Sequence, residues 1–262
     1  MSAELDLGAY LRRIGLAAAP AADLTGLRAL HCAHATHIPF ENLDIQLRLP
    51  IRLDLDSLQA KLVQRRRGGY CFEHNTLFLA ALKAVGFDVI ACEARVRLGA
   101  LELLPRTHML LLVRLEGAHW LCDVGFGGEG LLHPVPLDFE AHGQFLNTYR
   151  VSAEGSLRVL QSFHDGAWED LYAFVPEERF PIDFVLANHY TSTHPDSRFL
   201  QTLTAQLPGP EVRRILRNRA YAELRGEQAE GRELAPEEVI PMLREVFGIE
   251  VPEGARFRAL EA

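Results

Sequence analysis

Cysteine is scarce in this chain. The four present, Cys32, Cys71, Cys92 and Cys122, are too few to staple a domain of this size, which excludes a disulfide scaffold and points to free thiols in a reducing compartment. Long apolar runs are also missing. The longest, near Met109 to Val113, falls far short of the roughly 18 residues a membrane span requires. The first residues, MSAELDLGAYL, lack the basic-then-apolar order of a secretory signal, so the expectation is a soluble, cytoplasmic protein that uses no membrane. Positive charge is in deficit. With 27 Lys+Arg against 35 Asp+Glu and a formal charge of −8, the chain has no field for nucleic acid, although a local basic pocket for a phosphate remains allowed. Repeats and low-complexity tracts are absent too. What remains, 262 residues with 48% hydrophobic and 24% charged, is globular composition with enough length for a sizeable core.

The hydrophobic period divides the chain. Up to about residue 86 it is helical. Leu7, Tyr10, Leu11 and Ile14 share one face, Asp23 can cap a second helix, and Asp54 or Asp56 can start a third that runs to the arginines 65–67. A fourth opens at Cys71 behind Gly68-Gly69 and stops at Gly86, with Cys71, Asn75, Phe78 and Leu82 on one side. Beyond Gly86 the period shifts toward two. Strands are expected over 87–98, 108–115, 120–126, 149–153, 156–163 and 168–174, with a turn at 116–119, giving an antiparallel barrel or curled sheet. Pro181 to Ala187 restarts a helix, 202–225 is strand-like around a Pro208–Pro210 turn, 226–234 reads as a charged loop, and 236–247 as a helix with Pro236 in its first turn. The class is α+β in three parts: 1–86 helical, 87–187 β-barrel, 188–262 mixed.

Cys71 is the leading candidate for chemistry. A thiol at a helix N-terminus meets the positive end of the macrodipole and free amides, and both favour the nucleophilic thiolate. Such a nucleophile calls for a histidine held by a third group. His108 opens an apolar strand after Pro105-Arg106-Thr107. Asp123 lies near the end of the next, flanked by Leu121, Cys122, Val124 and Phe126, where an unpaired carboxylate would be costly to bury. Counted inward from a turn centred at about 117.5, position 108 faces about 127, which leaves Asp123 offset by about four residues unless a bulge intervenes.

Rival groupings are weaker. His31, Cys32, His34 and His37 cluster, but His37 drifts off the shared helix face and no CxxC or HExxH accompanies them, so no metal is expected and these read as helix-end histidines. His74, one turn after Cys71, would point along the helix flank and ranks below His108. The glycine-rich 125–130 has no following Lys-Ser/Thr and reads as a flexible loop permitting close ligand approach or as a barrel turn.

The segment Arg67-Gly68-Gly69-Tyr70-Cys71-Phe72-Glu73-His74-Asn75 resembles the nucleophile segment of the arylamine N-acetyltransferase family. Pro39-Phe40-Glu41-Asn42-Leu43, Thr107-His108, Asp123-Val124-Gly125-Phe126-Gly127 and Asn188 to Phe199 are similar to further family segments in the same order. The resemblance implies an N-terminal helical bundle, a central antiparallel β-barrel and a C-terminal α/β lid around a cysteine-protease-like Cys-His-Asp core. It implies a catalytic triad of Cys71, His108 and Asp123, an acceptor pocket near Phe40 and Phe126, and a weak coenzyme contact at Gly127 and Gly128. Glu41 and Arg67 match a pair that fixes the framework. No permanently bound cofactor is implied; acetyl-CoA is a co-substrate, and the other partner is an arylamine or arylhydrazine, with N-hydroxyarylamines as oxygen acceptors. A monomer or homodimer fits. The same nucleophile would also suit an amide synthase fed by acyl-carrier thioesters, or a binding module that keeps the trio for structure.

Overall fold

The computed structural model describes residues 4–226 and 228–261. Five helices come first: α1 Leu7–Arg13, α2 Leu24–His37, α3 Leu43–Gln46, α4 Leu55–Leu58 and α5 Cys71–Val85. The carboxylates of Asp6, Asp23 and Asp54 accept the amides of Ala9, Gly26 and Ser57, each satisfying a donor that a first helical turn leaves free. α4 runs on into a π-helical stretch over Gln59–Gln64, a rare geometry that gathers at functional places, and Lys61 within it is buried. Gly86 ends α5 in the left-handed region at φ +106°, which glycine adopts without a Cβ penalty. The apolar faces of these helices share one core with Val89, Leu111 and Val113 of the following sheet.

That sheet is antiparallel and eight-stranded. A short strand β1 (Phe40–Glu41) lies between the helices; the eight are β2 Asp88–Val96, β3 His108–Leu115, β4 Ala118–Cys122, β5 Val135–Pro136, β6 His142–Gln144, β7 Asn147–Glu154, β8 Leu157–His164 and β9 Ala167–Phe174. Their order is β5-β4-β3-β2-β9-β8-β7-β6, a curled, nearly closed barrel around a second core that includes Leu110, Leu121, Val151 and Tyr172. β3 packs against helices on one face and the barrel interior on the other, so its first six residues are all buried. That is why it reads as a continuous apolar run and not an alternating one.

The β3–β4 connection differs from its four-residue expectation. Leu115 pairs with Ala118, leaving a two-residue turn of Glu116 and Gly117 at φ +53° and +78°, the twist-matched hairpin geometry. The observed register, extended outward from Leu111–Cys122, puts 108 in line with 125 and not 127. β4 also stops at Cys122, short of the expected Phe126. The next amides turn to side chains: Asp123 N–H to His31 Nε2 (3.1 Å), Val124 N–H to Asn75 Oδ1 (3.3 Å) and Gly125 N–H to Asp123 Oδ1 (3.0 Å).

The chain then forms α6 Pro181–Thr193, α7 Arg198–Gln201, strands β10 Thr204–Leu207, β11 Arg213–Arg217, β12 Ala220–Arg225 and β13 Gln228–Glu233, and α8 Val239–Glu245. α6 extends past Ala187 to Thr193, across the expected division at 187/188. Most of the expected loop 226–234 is strand, Gln228–Glu233, with Glu227 outside the described residues. Its β13 pairs with β12 from Gln228–Arg225 to Glu233–Ala220, and because every β13 residue is exposed no apolar alternation marks it. The sheet order is β1-β10-β11-β12-β13, so residues 40–41 supply an edge strand to the C-terminal sheet. Asn42 binds the two parts, donating to the Phe199 and Thr202 carbonyls (2.9 and 2.7 Å) and accepting the Thr204 amide (2.8 Å). No helix among the described residues is long and apolar enough to cross a membrane.

Candidate active site

The entry to α5 is held by buried charge. Gly68 runs so close to Pro39 that a Cβ there would lie 1.9 Å from its carbonyl oxygen, and Glu41 N–H donates to the Gly69 carbonyl at 2.7 Å. Arg67 bridges Glu41 (2.8 Å) and Asp44 (2.9 Å), while Lys61 bridges Asp44 (2.7 Å) and Glu73 (2.8 Å). Glu73 uses its other oxygen to accept the Tyr70 amide at 3.1 Å, just ahead of the helix. Burial raises the Glu73 carboxyl to about 7 even though Lys61 pulls it down. Among these residues the sequence reading singled out Arg67 and Glu41; Lys61 and Asp44 carried no local signal.

Cys71 is the first residue of α5, 4% exposed, and its thiol lies 3.8 Å from the Thr107 carbonyl oxygen. His108 follows Thr107 at the start of β3. Its Nε2 meets Asp123 Oδ2 at 2.6 Å, which leaves Nδ1 as the nitrogen free for sulfur. This inverts the serine-hydrolase arrangement, where Nδ1 faces the carboxylate. Burial alone would depress the imidazole, but Asp123, with a smaller contribution from Cys71, overcomes it and holds His108 up to about 10. Asp123 is fully buried, and its carboxyl nonetheless stays below the usual range because His108, the Asn75 amide (2.9 Å) and the Gly125 N–H bond to the ionised form. Asn75 also donates to the Met109 carbonyl at 2.7 Å. The ring of Tyr172 packs on His108 with centroids 4.8 Å apart, and Phe126 stands edge-on to it at 5.2 Å.

Cys71 and His108 open into a cavity of about 290 Å³ that Phe40, Phe126, Gly127 and Gly128 also line, with Phe199, Thr204 and Arg217 on its far wall. Gly127 is pressed against Phe40, where a Cβ would lie 2.5 Å from the ring. Gly128 is left-handed at φ +111° and donates its amide to Gln206. The seven residues that the sequence marks as catalytic or ligand-binding therefore meet at one cavity or, for Asp123, directly behind it.

The remaining cysteines and histidines are placed elsewhere. Burial pushes the Cys92 thiol up to about 12 and raises Cys32 and Cys122. Of the histidines expected at a helix end, His34 and His37 lie in the last turn of α2, while His31 sits further in; His31 and His34 are fully buried. His34 links the Tyr10 hydroxyl (2.9 Å) to His74 (3.0 Å), and His74 reaches the Pro39 carbonyl at 3.1 Å, so His74 points into the bundle and away from the thiol. Asn75, Tyr172 and His31 are site residues that the sequence reading missed. For Asn75 a signal existed: an amide on the otherwise apolar face it shares with Cys71.

The N-acetyltransferase family model matches residues 23–256. The arylamine N-acetyltransferase of Mycolicibacterium smegmatis is 42% identical over 225 residues, 83% of this chain and 82% of its own length. The structure of the arylamine N-acetyltransferase from Salmonella typhimurium superposes with a TM-score of 0.91 at 34% identity, covering 99% of this chain and 97% of that one. That of the Mycobacterium marinum enzyme in complex with CoA gives 0.88 at 35% identity over 93% of each chain. This chain belongs to the arylamine N-acetyltransferase family.

Proposed function

We propose that this protein moves an acetyl group from acetyl-CoA to the nitrogen of an arylamine or arylhydrazine, or to the oxygen of an N-hydroxyarylamine, through an acetyl-Cys71 intermediate. The observation that carries the reading is the Cys71 thiol at a helix start beside a His108 imidazole that meets the buried Asp123 carboxylate at 2.6 Å, thiol and imidazole both opening on one cavity. An imidazolium stabilises the neighbouring thiolate, which attacks the thioester carbonyl. The helix-start amide of Cys71 is suited to receive the oxyanion. The tetrahedral species collapses by breaking the carbon–sulfur bond to CoA, and His108 Nδ1 gives the departing sulfur its proton. Thioester exchange is nearly balanced, so this half-reaction runs without a large thermodynamic cost.

CoA leaves and the acceptor enters the same cavity. Its nitrogen attacks the acetyl carbonyl, His108 takes the proton, and Cys71 departs as thiolate, restoring the ion pair. Arylamines suit this step because they remain neutral and nucleophilic at pH 7, and the Phe40 and Phe126 rings offer an apolar seat. In this reading 1–86 brings the nucleophile, 87–187 brings the histidine and aspartate, and 188–262 supplies the far wall; Asp123 orients and charges the imidazole, and Gly127 and Gly128 let a ligand approach the backbone. A reducing cytoplasm would keep Cys71 a thiol. Intact-mass analysis after incubation with acetyl-CoA alone tests the reading. An acetyl adduct on the wild type that is absent from Cys71→Ser supports it, and no adduct on folded wild type removes it.

A further inference from the structure

The reaction as written makes no use of His31, yet this imidazole touches the machinery. It sits fully buried on α2, edge-on to Phe78 at 5.7 Å, and its Nε2 lies 3.1 Å from the Asp123 backbone nitrogen. A backbone amide can only donate, so Nε2 must hold a lone pair and the proton must be on Nδ1. Nδ1 makes no hydrogen bond of ordinary geometry, although the Leu132 carbonyl is near enough to pull its affinity for protons upward against burial. A poorly partnered N–H in the interior is a liability, so the value of this side chain to the fold lies in its other nitrogen. That nitrogen meets the amide of the first residue beyond β4, which faces away from β3 and toward the β5 side, where the last pair is Leu121–Val135.

We propose that His31 is a positioning residue: by accepting the Asp123 amide it stops the β4–β5 ladder short of residue 123 and so aims the Asp123 carboxylate at His108. A ladder carbonyl in that place would carry the strand onward, and the pleat would then set the direction of the aspartate side chain. With an imidazole as acceptor the backbone is released at residue 123. It folds tightly enough for Gly125 N–H to reach Asp123 Oδ1 at 3.0 Å and for Val124 N–H to reach Asn75 at 3.3 Å. Removing the acceptor leaves a buried amide unpaired beside the pair it serves, and such an amide relaxes by moving. His108 then loses its carboxylate partner in part, and the imidazolium that favours the Cys71 thiolate at low pH is lost with it. The proposal rests on the acetyl-transfer reading only where turnover is measured.

Two measurements on the full-length protein decide it. Long-range proton–nitrogen NMR of the wild type must find His31 as the Nδ1–H tautomer; an Nε2–H tautomer overturns the proposal without any variant. His31→Leu and His31→Gln are then compared by iodoacetamide alkylation of Cys71 at pH 6 and pH 9. In His31→Leu the ratio of the two rates falls by about tenfold, the scale set by one lost hydrogen bond to a buried amide, and kcat falls with it while KM for acetyl-CoA holds. His31→Gln, whose amide oxygen accepts at similar reach, keeps the ratio within about threefold on the same scale. A wild-type ratio in His31→Leu, or an equal loss in both variants, refutes the role. If His31→Leu does not fold, the tautomer and the glutamine variant still decide. A wild type that takes no acetyl group defeats the acetyl-transfer reading and leaves the alkylation ratio to judge His31.

Discussion

The Asn75 side-chain amide donates to Asp123 Oδ1 at 2.9 Å and to the Met109 carbonyl at 2.7 Å. Because Asn75 stands one turn after Cys71 on α5, the helix that presents the sulfur is bonded directly to the carboxylate that charges the histidine. Sulfur, imidazole and carboxylate are thus fixed relative to one another by the same few hydrogen bonds.

That coupling sets the expected effect of neutral replacements. Asp123→Asn and His108→Gln should keep the fold, since each replacement is polar and close in size to the residue it replaces, and lose acetyl transfer by about a thousandfold or more, the range seen when a triad partner is removed. Steady-state rates with folding checked by circular dichroism test this. Near-wild-type turnover in either variant would remove the role given to that residue.

Selective alkylation is the second expectation. At pH 6 iodoacetamide should modify Cys71 before Cys32, Cys92 and Cys122, because burial raises the pKa of each of the latter three thiols and only Cys71 has His108 beside it. Peptide mapping of a short time course gives the order. A faster reaction at any of the other three contradicts it.

The His108–Asp123 pair should also make stability depend on pH in a defined direction. His108 rises from an ordinary 6.5 to about 10 on folding, so its contribution is complete below about 6.5 and disappears as pH climbs through about 10. Asp123 is shifted the opposite way, below 3.8, so its contribution is complete above that value and is lost in stronger acid. Urea unfolding of wild type and Asp123→Asn should therefore differ most near pH 5–6 and converge toward pH 10. A difference that stays constant across that range would count against the pairing.

Lys61→Met tests the buried charges behind the helix. It removes the cation shared by Asp44 and Glu73 and leaves two carboxylates facing each other out of water. A loss of about 3–5 kcal/mol is expected, as for other broken buried pairs, readable as a lowered urea midpoint. An unchanged midpoint would show that Arg67 alone suffices.

Gly127→Ala should act on the acceptor and not on the sulfur. The new Cβ would fall 2.5 Å from the Phe40 ring, which must swing and reshape the pocket. KM for arylamines is expected to change severalfold, with acetyl-Cys71 formation nearly as fast as in wild type. Single-turnover and steady-state measurements separate the two. Slowed acetylation with unaltered acceptor KM would contradict this.

Much of the fold and site was legible in sequence because the signals were local. Cys71 behind a glycine pair, His108 at the head of an apolar run and Asp123 among apolar neighbours each violate a simple pattern in a way that chemistry explains. The parts that escaped are set by distant contacts. The β3–β4 register was misjudged because Glu116 takes φ +53°, a conformation its side chain does not advertise, and the turn shrank to two residues. β13 was missed because an exposed edge strand needs no apolar face. His31 looked like a helix-end residue because its partner lies 92 positions away. Lys61 faces inward from a π-helical stretch, whose period a helical reading of the sequence does not follow.

The edge strand at 40–41 has a consequence for how the protein is made. Phe40 pairs with Gln206, and the cavity's far wall includes Thr204 and Arg217, segments that leave the ribosome long after the cysteine, histidine and aspartate have emerged. During synthesis the three residues of the trio therefore all emerge before the segments that enclose them, and the pocket is sealed only when late-made chain returns to the beginning.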